Sequence, residues 1–187
     1  MSWTKDYVKD YTGAWSKDYA KTYVGDGAGS GTAYRYWRIH ITVGFNVNEV
    51  SLGSVELYVN STKYPTSGMT NNTSPSPLVA AASSEDSAPN HAWKVWDNDI
   101  GEMGHWGSAY QDGYPQWVSI DLGSGNAIDV TSYKVIAGRD EKEQHSPKSW
   151  TLQGSNDNTN WTTVDTQSNV CLLYTSDAAD EGLGEDL

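Results

Sequence analysis

Residues 34–43 read YRYWRIHITV, and polar and apolar side chains alternate along this stretch. The apolar members are Trp37, Ile39, Ile41 and Val43. Successive side chains of an extended chain point to opposite sides, so these four share one face. A period of two is the pattern of a half-buried strand. The stretch therefore predicts a β-strand that packs one face on a hydrophobic core.

Similar patterns recur along the chain between turn-forming clusters such as LGSGN and GSNDNTN. They are VSLGSVELYV (50–59), WVSIDLG (117–123), TSYKVIAG (131–138), SWTLQGS (149–155) and WTTVDT (161–166). No long stretch has the 3.6-residue period of a helix. With 9 Trp and 12 Tyr in the chain, an aromatic core is expected. The sequence predicts an all-β domain, with core positions for Trp106, Trp117, Trp150 and Trp161.

The net charge of −12 argues against nucleic acid as a partner, because the 12 Lys and Arg residues are scattered rather than clustered. No run of about 18 apolar residues predicts a membrane span, and no apolar stretch after Met1 predicts a secretion signal. Cys171 is the only cysteine, so the domain is expected to have neither a disulfide nor a cysteine-based zinc site. Its stability must come from packing.

The first 33 residues are predicted to be an arm with a glycine-rich linker. The arm carries an aromatic residue at every fourth position: Trp3, Tyr7, Tyr11, Trp15, Tyr19 and Tyr23. Such tetrad repeats resemble those of structural proteins in marine bacteriophages. A disordered linker is the alternative, and residues 25–33, GDGAGSGTA, are expected to be a flexible joint.

The last 17 residues differ abruptly in composition from what precedes them. Residues 171–181, CLLYTSDAADE, resemble the translation of a transposase adapter used to build sequencing libraries. We therefore expect 171–187 to be a non-native tail on a metagenomic fragment, with a natural acidic tail as the alternative. Between the two ends, residues 34–170 are predicted to form the domain.

Two longer stretches carry a family resemblance. They are WDNDIGEMGHWGSAYQDGYPQWVSIDLGSG (96–125) and SPKSWTLQGSNDNTNWTTV (146–164). Together they resemble the discoidin domain, also called the coagulation-factor type C or galactose-binding-like domain, over residues 73–166. The resemblance implies a jelly-roll β-sandwich whose loops at one end bind sugars, lipids or proteins without catalysis.

The family pattern closes with strands similar to YRYWRIHIT and VSLGSVELY, which here come first. These strands either complete this domain as a circularly permuted jelly roll or remain from an upstream repeat. Sandwich termini lie close together, so a permuted order can rebuild the same sheet. We favour permutation, because the C-terminal end offers no other strands.

The resemblance also points to a calcium site at Asp97 and Asp99, in a loop that often holds a structural calcium ion in the family. The Glu that the family places on the closing strand is Ser54 here, although Glu56 lies two residues on. An Asx turn without metal is the alternative.

Ligand contacts are expected in loops, because strands hold the core. Two loops offer an aromatic, cationic and acidic mixture that suits a sugar ring. The candidates are His105, Tyr110, Asp112 and Tyr114 in the first loop, and Arg139, Glu141 and His145 in the second. The alternative for the second loop is a solvated charged turn.

Catalysis has only weak sequence support, since the chain shows no nucleophile elbow, no His-Glu-x-x-His pair and no phosphate loop. Asp97 and Asp99 would be the carboxylate pair of a glycosidase, but neighbours two residues apart in a turn are more simply turn or metal groups. The sequence therefore predicts a non-catalytic module that binds host glycans on a cell surface. It would belong to a phage virion or another extracellular surface, beside other virion or fibre subunits. The alternative is a structural or decoration domain of a fibre without a small ligand.

Overall fold

Antiparallel strands dominate the computed structural model, which describes residues 22–25, 31–99, 105–137 and 145–170. The strands within these ranges are β1 Thr22–Gly25, β2 Tyr36–Gly44, β3 Ser51–Val59, β4 Thr62–Tyr64, β5 Val79–Ala82, β6 Trp106–Gly107, β7 Gln116–Asp121, β8 Ser132–Ala137, β9 Pro147–Ser155 and β10 Thr162–Gln167. A short 3₁₀ helix spans Ala92–Trp96. Of the predicted arm, only 22–25 and 31–33 are described, and the predicted tail at 171–187 lies outside these ranges.

Two five-stranded sheets form a β-sandwich, as the sequence predicts. The first sheet has the order β1-β8-β3-β4, with β6 also paired to β3. The second sheet has the order β10-β9-β2-β7-β5. Every strand pair within the described ranges is antiparallel, and the large aromatic and aliphatic side chains lie between the sheets. This is the galactose-binding-like fold class.

The two early strands are internal members of these sheets. β2 lies between β7 and β9, where Ile39 is opposite both Val118 and Leu152. β3 lies between β8 and β4 in the first sheet. The prediction that the Trp37 stretch joins the same sandwich is confirmed by the pairing of β2 with β7 and β9. Circular permutation of the family order stays a prediction.

The core is aromatic, and three of its buried tryptophans have hydrogen-bonded indole N–H groups. Trp37, Trp106 and Trp150 are at most 1% exposed. Their indole N–H groups donate to the Tyr34 carbonyl, the Ser84 carbonyl and the Tyr133 hydroxyl at 3.0, 2.9 and 3.2 Å. Buried rings with satisfied N–H groups combine a large apolar area with a fixed orientation.

Three predicted core positions are wrong. Val43 is 43% exposed, because the pairing of β2 with β9 shifts register after Ile41. Trp117 faces outward, since its neighbour Val118 faces the core and side chains alternate. Trp161 precedes β10 and covers the outer surface of the second sheet, where it stacks on an arginine.

Within the part of the chain that the structure describes, no helix is long and apolar enough to cross a membrane.

Candidate functional site

Tyr114 of the first candidate loop and His145 of the second both contact the connection between β2 and β3, at one end of the sandwich. We call residues 45–50 the Glu49 loop. The Tyr114 hydroxyl lies 2.8 Å from the Asn46 carbonyl and 3.1 Å from the Glu49 carbonyl. The Glu49 carboxylate lies 2.9 Å from Nε2 of His145. Glu49 thus contacts residues of both candidate loops.

Backbone hydrogen bonds hold the first candidate loop against the Glu49 loop. The Ser108 N–H donates to the Val50 carbonyl at 2.9 Å, and the Val50 N–H donates to the Ser108 hydroxyl at 3.0 Å. The Gln111 N–H donates to the Asn48 carbonyl at 2.9 Å. This attachment fixes the direction in which the tip of the loop projects.

Tyr110 is the exposed aromatic residue at this tip. Its side chain is 60% exposed, and Asp112 two residues on is also exposed. A ring in this position can stack on the C–H face of a sugar while the nearby carboxylate accepts hydrogen bonds from hydroxyls. The structure therefore leaves both predicted contact residues accessible.

Tyr114 has a structural position. Its ring packs against the core, and a Cβ at Gly44 would overlap its hydroxyl, so the tight packing needs glycine there. Burial, followed by the nearby Glu49 charge, raises the pKa of Tyr114 to about 12. The hydroxyl stays protonated at neutral pH, and its hydrogen-bond acceptors are two backbone carbonyls.

His145 and Glu49 form a partly exposed pair. Their side chains are 17% and 20% exposed, so the edge of the pair reaches solvent. An imidazole beside a carboxylate presents hydrogen-bond donors and acceptors to a sugar hydroxyl. His105, just before β6, is also partly exposed. Arg139 and Glu141 lie outside the described residues.

The groups around Asp97 do not favour the predicted calcium ion. One Asp97 oxygen accepts the Asp99 N–H at 2.9 Å, and the other lies 3.8 Å from the Lys94 ammonium. A Cβ at Gly68 would overlap the Asp97 carbonyl, which is therefore tightly packed. Burial raises the pKa of Asp97 despite the hydrogen bond from Asp99. A lysine in this position competes with a cation.

Neither Ser54, at the family's glutamate position on β3, nor the nearby Glu56 is free to supply a calcium ligand. Ser54 Oγ lies 3.5 Å from the Val95 carbonyl, and the Glu56 carboxylate contacts Tyr58, Lys63 and Lys134. Among the described residues, no three His, Cys, Asp or Glu side chains cluster in a way that would hold a metal ion. Calcium takes six to eight oxygens, so these residues fit an Asx turn better than calcium.

A separate cleft of about 470 Å³ opens at the opposite end of the sandwich. Its lining includes Tyr64, Pro65, Pro77 and Leu122, and none of the described residues that line it carries a charge. The volume suits a small ligand. None of the ligand contacts predicted from the sequence lies there.

Part of the sequence matches a known family model. Residues 94–176 match the family model described as the NedA-like, galactose-binding domain. The match covers just under half of the chain and includes both candidate loops. It confirms the discoidin-type resemblance for these residues. No curated protein and no solved structure matches the sequence.

Glu49 is the site residue that sequence reasoning missed. It lies in a polar connection, NVNEV, with no motif of its own. Its place beside His145 and Tyr114 follows from the pairing of β2 with β7 and β9, which brings the β2–β3 connection to the end of the sandwich where both residues lie. A topology that fixed β2 between β7 and β9 would have indicated it.

Proposed function

We propose that this chain is a non-catalytic carbohydrate-binding module that recognises host glycans at the Glu49 end of the sandwich. The contacts of Tyr114 and His145 with Glu49 carry the proposal, because they join a described residue of each candidate loop near the exposed Tyr110. Similarity of residues 94–176 to a galactose-binding domain supports the ligand class.

Neutral or amino sugars suit this surface. The described part offers an aromatic face, an imidazole and carboxylates, which together hydrogen-bond hydroxyl and amine groups. Arg139 and Glu141 remain proposed contacts on the residue composition of the second loop. A shallow surface leaves much of a sugar solvated, so the affinity should be near millimolar, about −4 kcal/mol. Several copies on one particle would supply useful attachment.

A virion or another extracellular surface is the proposed location, on the resemblance of the aromatic arm to phage structural proteins. The second candidate function is a structural or decoration domain in a fibre. One observation favours it: β1, from the predicted arm, adds an edge strand to β8. An edge strand supplied by a neighbouring copy would join subunits by the same hydrogen bonds.

A glycan array followed by titration of the full chain tests the glycan proposal. We expect Arg139→Ala and Tyr110→Ala to weaken binding to the selected neutral or amino-sugar glycan by about tenfold or more, with little change in melting temperature. Tyr64→Ala removes the same ring at the opposite end and is the matched control.

Two results would contradict the loop site. One is an Arg139→Ala variant that binds as well as the parent. The other is binding lost only in Tyr64→Ala, which would place the ligand in the cleft. An array on which the parent binds no glycan would favour the fibre alternative.

A further inference from the structure

The outer face of the second sheet carries two tryptophans and an arginine outside the core. Arg38 on β2 is opposite Ser119 on β7 and Gln153 on β9. Trp117 lies on β7, opposite the next outward residue of β2, and Trp161 directly precedes β10. All are half-buried. We call the following residues the Arg38 patch: Arg38, His40, Trp117, Gln153 and Trp161.

Arg38 is held in a fixed orientation. Its guanidinium carbon lies 4.1 Å from the centre of the Trp161 ring and 5.9 Å from that of Trp117. Its Nε donates to the Gln153 side-chain oxygen at 2.7 Å. Within the described chain, the two terminal nitrogens of Arg38 donate no hydrogen bond. A planar donor group is thus preorganised by two rings and one amide, with its outer edge available.

Arg35, just before β2, is an arginine whose guanidinium is paired with a carboxylate. Arg35 donates to both carboxylate oxygens of Asp121 at 2.6 and 2.7 Å and stacks on Tyr36 at 4.7 Å. Arg38 has the aromatic contacts without the carboxylate. Because a guanidinium fork matches a carboxylate in geometry and charge, the missing component of the patch is an acidic group.

The charges around the patch favour one negative charge and not a polyanion. Outward residues opposite β2 are neutral at Ser119, Thr151 and Gln153, and Asp121 is already paired. Burial, followed by the Arg38 charge, lowers the pKa of His40, so His40 is neutral at pH 7. The chain as a whole carries −12 and would repel a long polyanion.

The size of the patch fits an oligosaccharide better than a protein. From β10 to β7 it spans three strand spacings, about 14 Å, and from Arg38 to His40 about 7 Å. That is on the order of 100 Å², whereas a stable protein partner buries roughly 800 Å² on each side. The two half-buried indoles offer apolar surface to the C–H groups of a sugar ring.

We propose that the Arg38 patch is a second saccharide-binding surface, selective for a glycan that carries a carboxylate, such as a uronic acid. Arg38 binds the carboxylate through both terminal nitrogens, Trp117 and Trp161 flank the ring, and the polar groups of His40 and Gln153 face its hydroxyls. This surface is separate from the Glu49 end, so the module binds two glycans independently.

Titration of the full chain with a glucuronic-acid disaccharide tests the proposal, with the matched glucose disaccharide as the control ligand. We expect the indole N–H signals of Trp117 and Trp161 to shift only with the acidic sugar. Arg38→Ala should weaken its binding about tenfold or more. Arg38→Lys keeps the charge without the planar fork, so it should also bind more weakly at an unchanged melting temperature.

Tyr110→Ala, at the Glu49 end, should leave binding of the acidic sugar unchanged, and Arg38→Ala should leave binding of the neutral glycan unchanged. The proposal is overturned if Arg38→Ala or Arg38→Lys binds the acidic sugar like the parent. Equal affinity for the glucose disaccharide also overturns it, as does equal affinity for a glutamate-rich peptide, which would make the patch a protein contact. If Tyr110→Ala does not weaken binding of the neutral glycan, only the proposed loop site is contradicted.

Discussion

At the scale of single residues, Tyr114 ties the Glu49 loop to the rest of the sandwich. Tyr114→Phe leaves two backbone carbonyls without their shared donor, and we expect a loss of about 1–2 kcal/mol in the free energy of unfolding, measured with urea at pH 7. The folded pKa of about 12 exceeds the ordinary 10.0, so this contribution is complete below pH 10 and declines above it. The parent and the variant should therefore converge in stability on the alkaline side. A difference that grows above pH 10 would contradict the assignment.

The pKa of Asp157 shifts in the opposite direction, downward, so its stability contribution has the opposite pH dependence. Hydrogen bonds from the Asn160 side chain, and from the backbone N–H groups of Asn160 and Thr159, hold its pKa well below the usual 3.8. A depressed folded pKa adds stability above the unfolded value, and this stability is lost as the pH falls through the folded value. We expect Asp157→Ala to be less stable than the parent at pH 7 and the difference to shrink below about pH 4. Thermal melting at several pH values measures it, and a difference that is constant with pH would rule out the ionised turn.

At the scale of elements, β2 is the central strand of its sheet and alternates between core and surface. Ile39 is fully buried, and Ile39→Ala should cost about 2–5 kcal/mol of unfolding free energy. The exposed Thr42 on the same strand is the matched control, since Thr42→Ala should change it by about 0.5 kcal/mol or less. Denaturant titration compares the two. Equal effects would show that β2 is not part of the core.

The alternation that predicts this strand is local, which explains why most strands could be placed from sequence. The same rule, applied consistently, would have placed Trp117 outside, because Val118 and Ile120 share the inner face. Assigning tryptophan to the core by residue type overrode the pattern. The register shift after Ile41 has no such signal, since it depends on how β9 pairs with β2.

At the scale of the whole molecule, the site is harder to predict than the fold. Its geometry depends on which loops share an end, and that is settled by pairing between residues far apart in sequence. Glu49 and His145 illustrate this, because neither position has a pattern that indicates the other. The family match at residues 94–176 includes both candidate loops, whereas β2, β3 and the Glu49 loop lie outside it.

The central place of β2 also has a consequence for synthesis on the ribosome. Gln153, its neighbour on β9, follows Arg38 by 115 residues. At a translation rate of about 5–20 residues per second, β2 waits on the order of 10 s for this partner. During that interval the nascent chain carries a strand with an unpaired edge and an apolar face, which is the state that chaperones bind. A partner strand that followed β2 directly in the chain would shorten this interval, so the long sequence separation between β2 and β9 lengthens the period in which β2 is exposed.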